Sequence, residues 1–404
     1  MAKTPVARKK APRRPLRVAP RPSTAGGRAV VKKPDAPEFL NGNEACVEGA
    51  IAAGCRFFAG APLSPAQEIL QRFLKRMPEA GGVAVHMENA PGALSACLGA
   101  SWAGRKALTA TSGPGLSAML DDVGFAIMTE TPVVIVDIQR AGPSQGQGTR
   151  PAQGDVQQVR WGASGDYEII ALAPWSVQEM YELTIEAFNL SEQFRVPVFL
   201  LADESVGHLR EFFHLKKLPP PIERNARAGQ PIFGGKEDEV PPMPPLGQGG
   251  KMLVTGSTHN EDGLYQDLCP EAQANLVARL SQKILAQSEK ISRTEPLFLE
   301  GAEVVVISYG IAARAAAPVV KAARTAGQKV GFLRLISLWP FPDGAVRRAC
   351  ENAKHVIVAE LNRGQVAREV ERALGRDVIR LTKTNGELIL PAEVSEVLKK
   401  AVAE

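Results

Sequence analysis

The chain has 404 residues, with 48 Lys/Arg against 43 Asp/Glu and a formal net charge of +5. That length allows two or three domains, each with its own core. No run of about 18 apolar residues occurs, so no membrane span is expected. The five cysteines, Cys46, Cys55, Cys97, Cys269 and Cys350, form no C-x-x-C and lie beside no histidine at metal spacing. This argues against a zinc or iron–sulfur site in the chain and fits a reducing compartment, the cytoplasm.

The charge is unevenly spread. Residues 1–34 hold eleven Lys/Arg and no acid, so the remainder carries about −6 by difference. Prolines at 5, 12, 15, 20, 22 and 34 block helix and the like charges repel, so residues 1–38 are expected to form a disordered basic tail. A secretory signal would need an apolar stretch that is missing. The Arg-rich, acid-free composition would suit a transit peptide, but the prolines oppose its amphipathic helix. A solvated tail is the simplest reading; weak electrostatic contact with nucleic acid or an acidic partner is the alternative. A nucleic-acid function is not expected.

Residues 39–215 read as a first domain. Helix-period segments alternate with short apolar runs at 57–59, 83–85, 108–111, 133–137 and 196–201, which predicts a parallel sheet covered by helices. Ligands usually sit at the carboxyl edge of such a sheet. His86-Met87-Glu88-Asn89-Ala90-Pro91 precedes a small-residue helix ending near Gly104. Strand 107–111 runs into Ser112-Gly113-Pro114-Gly115, which offers backbone N–H groups at a helix N-terminus; a plain tight turn accounts for it equally well. The strand from Val133 to Asp137 runs on to Arg140, beside the loop that starts Gly142-Pro143-Ser144. Arg140 suits bidentate recognition of a carboxylate, or it caps the strand at the surface. Arg150 and Arg160 flank the loop, and Arg150 offers a second anion contact or is simply solvated.

Residues 216–250 break the pattern with Pro219-Pro220-Pro221, Pro241-Pro242 and Pro244-Pro245, and read as a linker. A long polar helix is expected around 271–292. Residues 251–404 read as a second α/β domain. Its sheet begins with the buried run 304–308, followed by Tyr309-Gly310 and an alanine-rich helix, then strands at 330–333, 356–359 and 378–381. Leu338-Trp339-Pro340-Phe341-Pro342 is expected to open another helix.

Five words in this order carry a resemblance: Gly42-Asn43-Glu44-Ala45, Ala110-Thr111-Ser112-Gly113-Pro114-Gly115, Met128-Thr129-Glu130-Thr131-Pro132, Pro151-Ala152-Gln153-Gly154-Asp155 and Leu201-Ala202-Asp203-Glu204. From Asn41 to the C-terminus the chain resembles the alpha subunit of 2-oxoacid:ferredoxin oxidoreductases, the 2-oxoglutarate type most closely. The resemblance implies an α/β fold: a parallel-sheet domain of the thiamine-enzyme pyrimidine-binding type, then a transketolase C-terminal-like domain. It implies oxidative decarboxylation of a 2-oxoacid to acyl-CoA, with coenzyme A as cosubstrate and ferredoxin or another electron acceptor. Thiamine diphosphate with Mg would be bound mainly by a partner beta subunit, which would also carry the iron–sulfur cluster, in a dimer of alpha–beta units. Accordingly no Gly-Asp-Gly diphosphate motif occurs here.

The resemblance also assigns residues. Arg140 matches the arginine that pairs with the oxoacid carboxylate, and Ser64 matches a threonine hydroxyl with the same duty. The word there is Ala61-Pro62-Leu63-Ser64-Pro65-Ala66-Gln67, where the family has Tyr-Pro-Ile-Thr-Pro-Ser-Ser; Ser64 could instead start the helix at Ala66. Glu88, Ser112, Gly113, Pro114 and Gly115 are the implied cofactor-facing residues, and no metal ligand is implied. The family word Met-Glu-Asp-Glu reads Met87-Glu88-Asn89-Ala90 here. Its second glutamate, which would hold the pyrimidine nitrogen, is Ala90. Glu88 lies two positions earlier and also reads as a charge near a helix start. Pro91 is at home in a first helical turn. The loops Tyr309-Gly310, Glu360 to Gln365 and Thr255-Gly256-Ser257-Thr258-His259 read as positioning or coenzyme A-facing elements; a structural histidine is the alternative for His259. The competing functions are a non-catalytic paralogue that scaffolds or regulates a complex, and a thiamine-dependent lyase or ligase that needs no glutamate.

Overall fold

A computed structural model describes residues 37–215, 220–236, 238–248 and 252–403; the expectation for the basic tail falls outside them up to residue 36. The first half comprises β1 (Glu38–Asn41), α1 (Gly42–Ala52), β2 (Phe57–Gly60), α2 (Gln67–Arg76), β3 (Val83–His86), α3 (Ala90–Trp102), β4 (Ala107–Thr111), α4 (Gly113–Ala118) and α5 (Leu120–Met128). It continues through β5 (Val133–Ala141), β6 (Gln147–Pro151), α6 (Val156–Trp161), β7 (Ile170–Leu172), α7 (Val177–Phe194), β8 (Pro197–Asp203), α8 (Glu204–His208) and β9 (Arg210–Phe213). The second half opens with α9 (Pro270–Leu285), α10 (Ser288–Ile291), β10 (Thr294–Leu297), β11 (Val304–Ser308) and α11 (Gly310–Thr325). β12 (Val330–Leu335), β13 (Ser337–Trp339), α12 (Asp343–Cys350), β14 (His355–Glu360), α13 (Gln365–Leu374), β15 (Ile379–Thr382) and α14 (Pro391–Ala403) complete it.

The large sheet runs β13-β7-β8-β5-β4-β2-β3, with β6 returning antiparallel on β5. From β7 to β3 its pairs are parallel. A second sheet runs β10-β12-β11-β14-β15 and is parallel apart from β10. The expected α/β architecture is thus present in both halves. Every residue of β4, β5, β8 and β11 is buried, which is why these strands read as unbroken apolar runs rather than alternating ones.

Local chemistry sets the helix starts. Asn41 accepts from Glu44 N at 2.8 Å and Glu44 returns the bond to Asn41 N at 3.2 Å, a capping box that fixes α1. α1 then crosses α7 so closely that a Cβ on Gly49 would lie 2.5 Å from the Tyr181 carbonyl oxygen. Asn89 Oδ1 accepts from Gly92 N at 2.8 Å, and Pro91 occupies the first turn of an intact α3.

Two expectations change. The stretch 338–342 does lead into α12, with Pro342 as its N-cap, but its first residues form a strand: Ser337–Trp339 leaves the second half and pairs antiparallel with β7 of the large sheet. Pro340 and Pro342 lack the N–H a helix would use, and α12 starts only at Asp343. The described part of 216–250 is a strap bound along the first half. Arg195 Nη1 donates to the carbonyls of Ile232, Pro241 and Pro242, and Arg224 pairs with Glu192. Trp102, Ile232, Phe233 and Met243 close a small apolar cluster beneath it.

Candidate functional site

The carboxyl ends of β4 and β5 meet the loop before α2 and the start of α3. At Thr111 the two strands are in register with Asp137. A Cβ on Gly115 would lie 2.3 Å from Thr111 Oγ1, 2.4 Å from Leu63 Cδ1 and 3.2 Å from the Ala90 Cβ. The missing side chain of Gly115 therefore makes room where four elements converge, and Ala90 points into that space with a methyl group.

Five polar side chains end here with buried atoms that have no hydrogen-bond partner. The hydroxyls of Thr111 and Ser112, both oxygens of Asp137, Oδ2 of Asp155 and Nε of Arg140 are all buried and unpaired. Buried polar groups are nearly always satisfied, so this concentration marks a place built for a polar guest. Burial, then the neighbouring Asp155 carboxylate, push Asp137 well above the usual carboxylate range. Asp155 is also raised, by burial. Asp155 N donates to Gln139 Oε1 at 3.1 Å, and its carboxylate lies 3.9 Å from where a Cβ on Gly113 would be.

Arg140 is buried. Its Nη1 donates to Ser64 O and its Nη2 to Gln145 Oε1, each at 2.9 Å. Ser64 and Arg140 are thus in direct contact, through the Ser64 backbone carbonyl and not its hydroxyl. The Ser64 hydroxyl donates to Gly148 O at 3.3 Å. It caps no helix, because α2 starts at Gln67 with Ala66 as its N-cap.

The Ser112–Gly115 turn is a weaker anion cradle than its sequence suggests. Gly115 N and Leu116 N both donate to Ser112 O and Pro114 has no N–H, which leaves the Gly113 N–H for a ligand. Glu88 is exposed in the turn before α3; Asn89, not Glu88, caps the helix. Arg150 is exposed. Arg160 is buried, with its guanidinium 3.9 Å from the Trp161 ring centroid and bonded to Tyr167 O and Glu168. His259 is buried against Phe233, and its Nδ1 lies 2.8 Å from Ser257 O. Its Nε2 is buried without a hydrogen-bond partner, and burial lowers its pKa.

The acid pair and its neighbour Gln139 were missed from sequence. One signal was available: an aspartate inside a run of apolar strand residues has no reason to be buried unless something there uses it.

Comparison with known proteins adds independent findings. Residues 48–277 match the family model described as pyruvate flavodoxin/ferredoxin oxidoreductase, thiamine diP-binding. Residues 302–394 match pyruvate:ferredoxin oxidoreductase core domain II. The chain is 45% identical over 371 residues to the 2-oxoglutarate synthase subunit KorA of Methanothermobacter thermautotrophicus, covering 90% of this chain and 98% of that protein. It is 35% identical to the ketoisovalerate oxidoreductase subunit VorB of Methanothermobacter marburgensis, covering 90% and 97%. Among solved structures, the 2-oxoglutarate:ferredoxin oxidoreductase of Magnetococcus marinus, determined with 2-oxoglutarate, coenzyme A and succinyl-CoA bound, superposes with a TM-score of 0.84 at 28% identity. That match covers 92% of this chain and 66% of the longer one.

Proposed function

The chain belongs to the 2-oxoacid:ferredoxin oxidoreductase family, and from that premise we propose that it supplies the substrate-anchoring half of an active site completed by a beta-type subunit. It is an oxidoreductase subunit of the 2-oxoglutarate synthase kind, to which it is more similar than to the ketoisovalerate kind. The oxoacid would therefore be 2-oxoglutarate, with coenzyme A and ferredoxin or a similar acceptor as the other reactants. The observation that carries this reading is Arg140: a buried guanidinium, oriented by Ser64 and Gln145, with an unspent Nε beside the sheet edge.

Thiamine diphosphate fits this edge in part. The unpaired hydroxyls of Thr111 and Ser112 beside Gly115 suit a polar heterocycle. No Gly-Asp-Gly stretch is present to hold a diphosphate and Mg, so the beta subunit would do that and carry the iron–sulfur cluster. When bound, the cofactor supplies the carbon nucleophile for the keto group. This chain's part is to fix the oxoacid carboxylate through Arg140 and Ser64 and to keep water from it. On the resemblance, Ala90 takes the place of the family's proton-handling glutamate, which favours a second reading: a slow or non-catalytic subunit with a structural role in the complex. Among the described residues no helix is long and apolar enough to cross a membrane, in keeping with a cytoplasmic enzyme.

Co-expression with a beta-type subunit tests the proposal. The isolated chain should be colourless and bind thiamine diphosphate weakly, whereas the co-purified complex should be brown and bind it stoichiometrically. Tight stoichiometric binding by the lone chain would overturn the division of labour.

A further inference from the structure

We propose that Asp137 and Asp155 share a single proton and couple its uptake to the docking of an anionic substrate at Arg140. The inference rests on the reading of Arg140 as the carboxylate anchor and adds a proton-linked control to it.

The two carboxyl groups arrive from different elements: Asp137 from within β5, Asp155 from the turn before α6. Both oxygens of Asp137 and Oδ2 of Asp155 are buried with no N–H or O–H donor directed at them. Among the described residues neither forms an ion pair. Asp137 is in register with Thr111, and Asp155 Oδ2 lies 3.9 Å from where a Cβ on Gly113 would be, so both carboxyls close on the same turn; two such neighbours away from water cannot both ionise cheaply, and one proton between them titrates as a property of the pair.

Arg140 is the cation whose charge reaches both acids, yet it does not neutralise them by contact. Its Nη groups are spent on Ser64 and Gln145, and its Nε remains buried and unpaired. On the other elements packed against β5 the charges are exposed or spent: Arg150 of β6 is exposed, and Glu204 and His208 of α8 pair with each other. α4 has no ionisable residue. On α6, Arg160 is committed to Glu168 and Tyr167 O. On β8, Asp203 is turned to the second half, accepting from Ile311 N at 2.8 Å and from Val206 N at 3.0 Å.

The charge balance gives the coupling. With both acids ionised, the pair and Arg140 together carry one negative charge and repel an incoming carboxylate. With one proton on the pair, the three groups are neutral and Arg140 can accept the anion. Substrate binding must then raise the proton affinity of the pair, because the linkage is reciprocal. The Thr111 and Ser112 hydroxyls, unpaired beside the dyad, are free to donate to whichever partner is present.

Calorimetric titration of the assembled complex with 2-oxoglutarate, in buffers of different ionisation enthalpy, is the test. On the alkaline side of the pair's titration, wild type should take up a proton on binding, and its Kd should weaken by up to about tenfold per pH unit. The pH effect should appear in KM rather than kcat. Asp155→Asn should abolish both the proton uptake and the slope, and Asp137→Asn should do the same if the first variant does not fold. On the acid side of that titration, infrared spectra of the wild-type complex without substrate should show the C=O stretch of a protonated carboxyl, absent in either variant. Binding without proton exchange on the alkaline side, or the absence of that band on the acid side, would overturn the shared proton while leaving the anchor intact. A complex that binds no 2-oxoglutarate at any pH would overturn the anchor reading and this inference together.

Discussion

Arg140 is oriented before any ligand arrives. Two of its nitrogens are tied to Ser64 O and Gln145 Oε1, so little side-chain freedom remains to be lost on binding. Arg140→Ala should remove about 2–5 kcal/mol of interaction with a desolvated carboxylate, read as a raised KM for the oxoacid. It should also lower stability by about 1 kcal/mol, because the half-buried Ser64 carbonyl loses its donor. A variant complex with an unchanged KM would refute the anchor. Ala90 makes a second residue-scale case. Its methyl, beside Thr111 and Gly115, offers no proton acceptor, and general acid–base help is worth about 10²–10⁴-fold. The native complex should therefore be slow in 2-oxoacid decarboxylation, and Ala90→Glu should raise kcat. Full family-level turnover by the unmodified complex would show that the proton partner lies elsewhere. Both positions were legible in sequence because they sit inside family words. Asp137 was not: it looked like the polar end of a strand. Its partner Asp155 reaches it only after β6 has folded back on β5, a pairing too short and polar to announce itself.

Among the elements, α9 shows how a polar pattern can mislead. Its charges suggest a solvated helix, yet Arg279 and Lys283 are buried and converge on Glu130, which is fully inaccessible. Lys283 Nζ lies 2.8 Å from Glu130 Oε2 and Arg279 binds both carboxylate oxygens. Arg195 Nε donates to the Glu130 backbone carbonyl at 3.0 Å. This network fastens α9 and the strap to the turn before β5. Burial alone would raise the carboxyl pKa of Glu130, but the attraction of Lys283, Arg195 and Arg279 outweighs it and holds the group far below the usual range. The folded-state pKa is depressed, so the stabilisation is fully present above the unfolded value near 4.5 and is lost only as pH falls below it. Glu130→Gln leaves buried cations without a counter-charge and should cost about 3–5 kcal/mol, measurable as a reduced denaturant midpoint at neutral pH. A cost below about 1 kcal/mol would place the network with exposed surface pairs. The parallel strands themselves were legible, because strands covered on both faces become continuous apolar runs. β13 was hidden, since three residues ahead of Pro340 carry too little pattern to show which sheet they join.

At the scale of the whole molecule, the two sheets share one interior. A single apolar cluster contains Ile135 and Phe199 of the large sheet together with Ile307, Leu333 and Val358 of the other. Gln153 is the polar counterpart of that cluster. Its backbone N donates to Leu361 O at 2.9 Å and its backbone O accepts from Asn362 Nδ2 at 2.7 Å. Its side chain accepts from Leu361 N at 2.9 Å and donates to Tyr309 O at 3.1 Å. β13 adds backbone pairing across the same junction. Multidomain chains commonly melt in steps, but these shared contacts predict one calorimetric transition for residues 37–404, with calorimetric and van't Hoff enthalpies equal. Gly310 offers the sharpest perturbation. It adopts φ +52, and a Cβ there would lie 2.6 Å from Gln153 Nε2 and 2.7 Å from Asp203 Oδ2. Gly310→Ala should cost about 1–3 kcal/mol through the strained backbone and the displaced side chains. It should lower the temperature of the single transition without splitting it, because β13 and the apolar cluster still bind the halves together. Two resolved transitions in the wild-type chain would show that the halves fold independently and that the junction is only a docking contact.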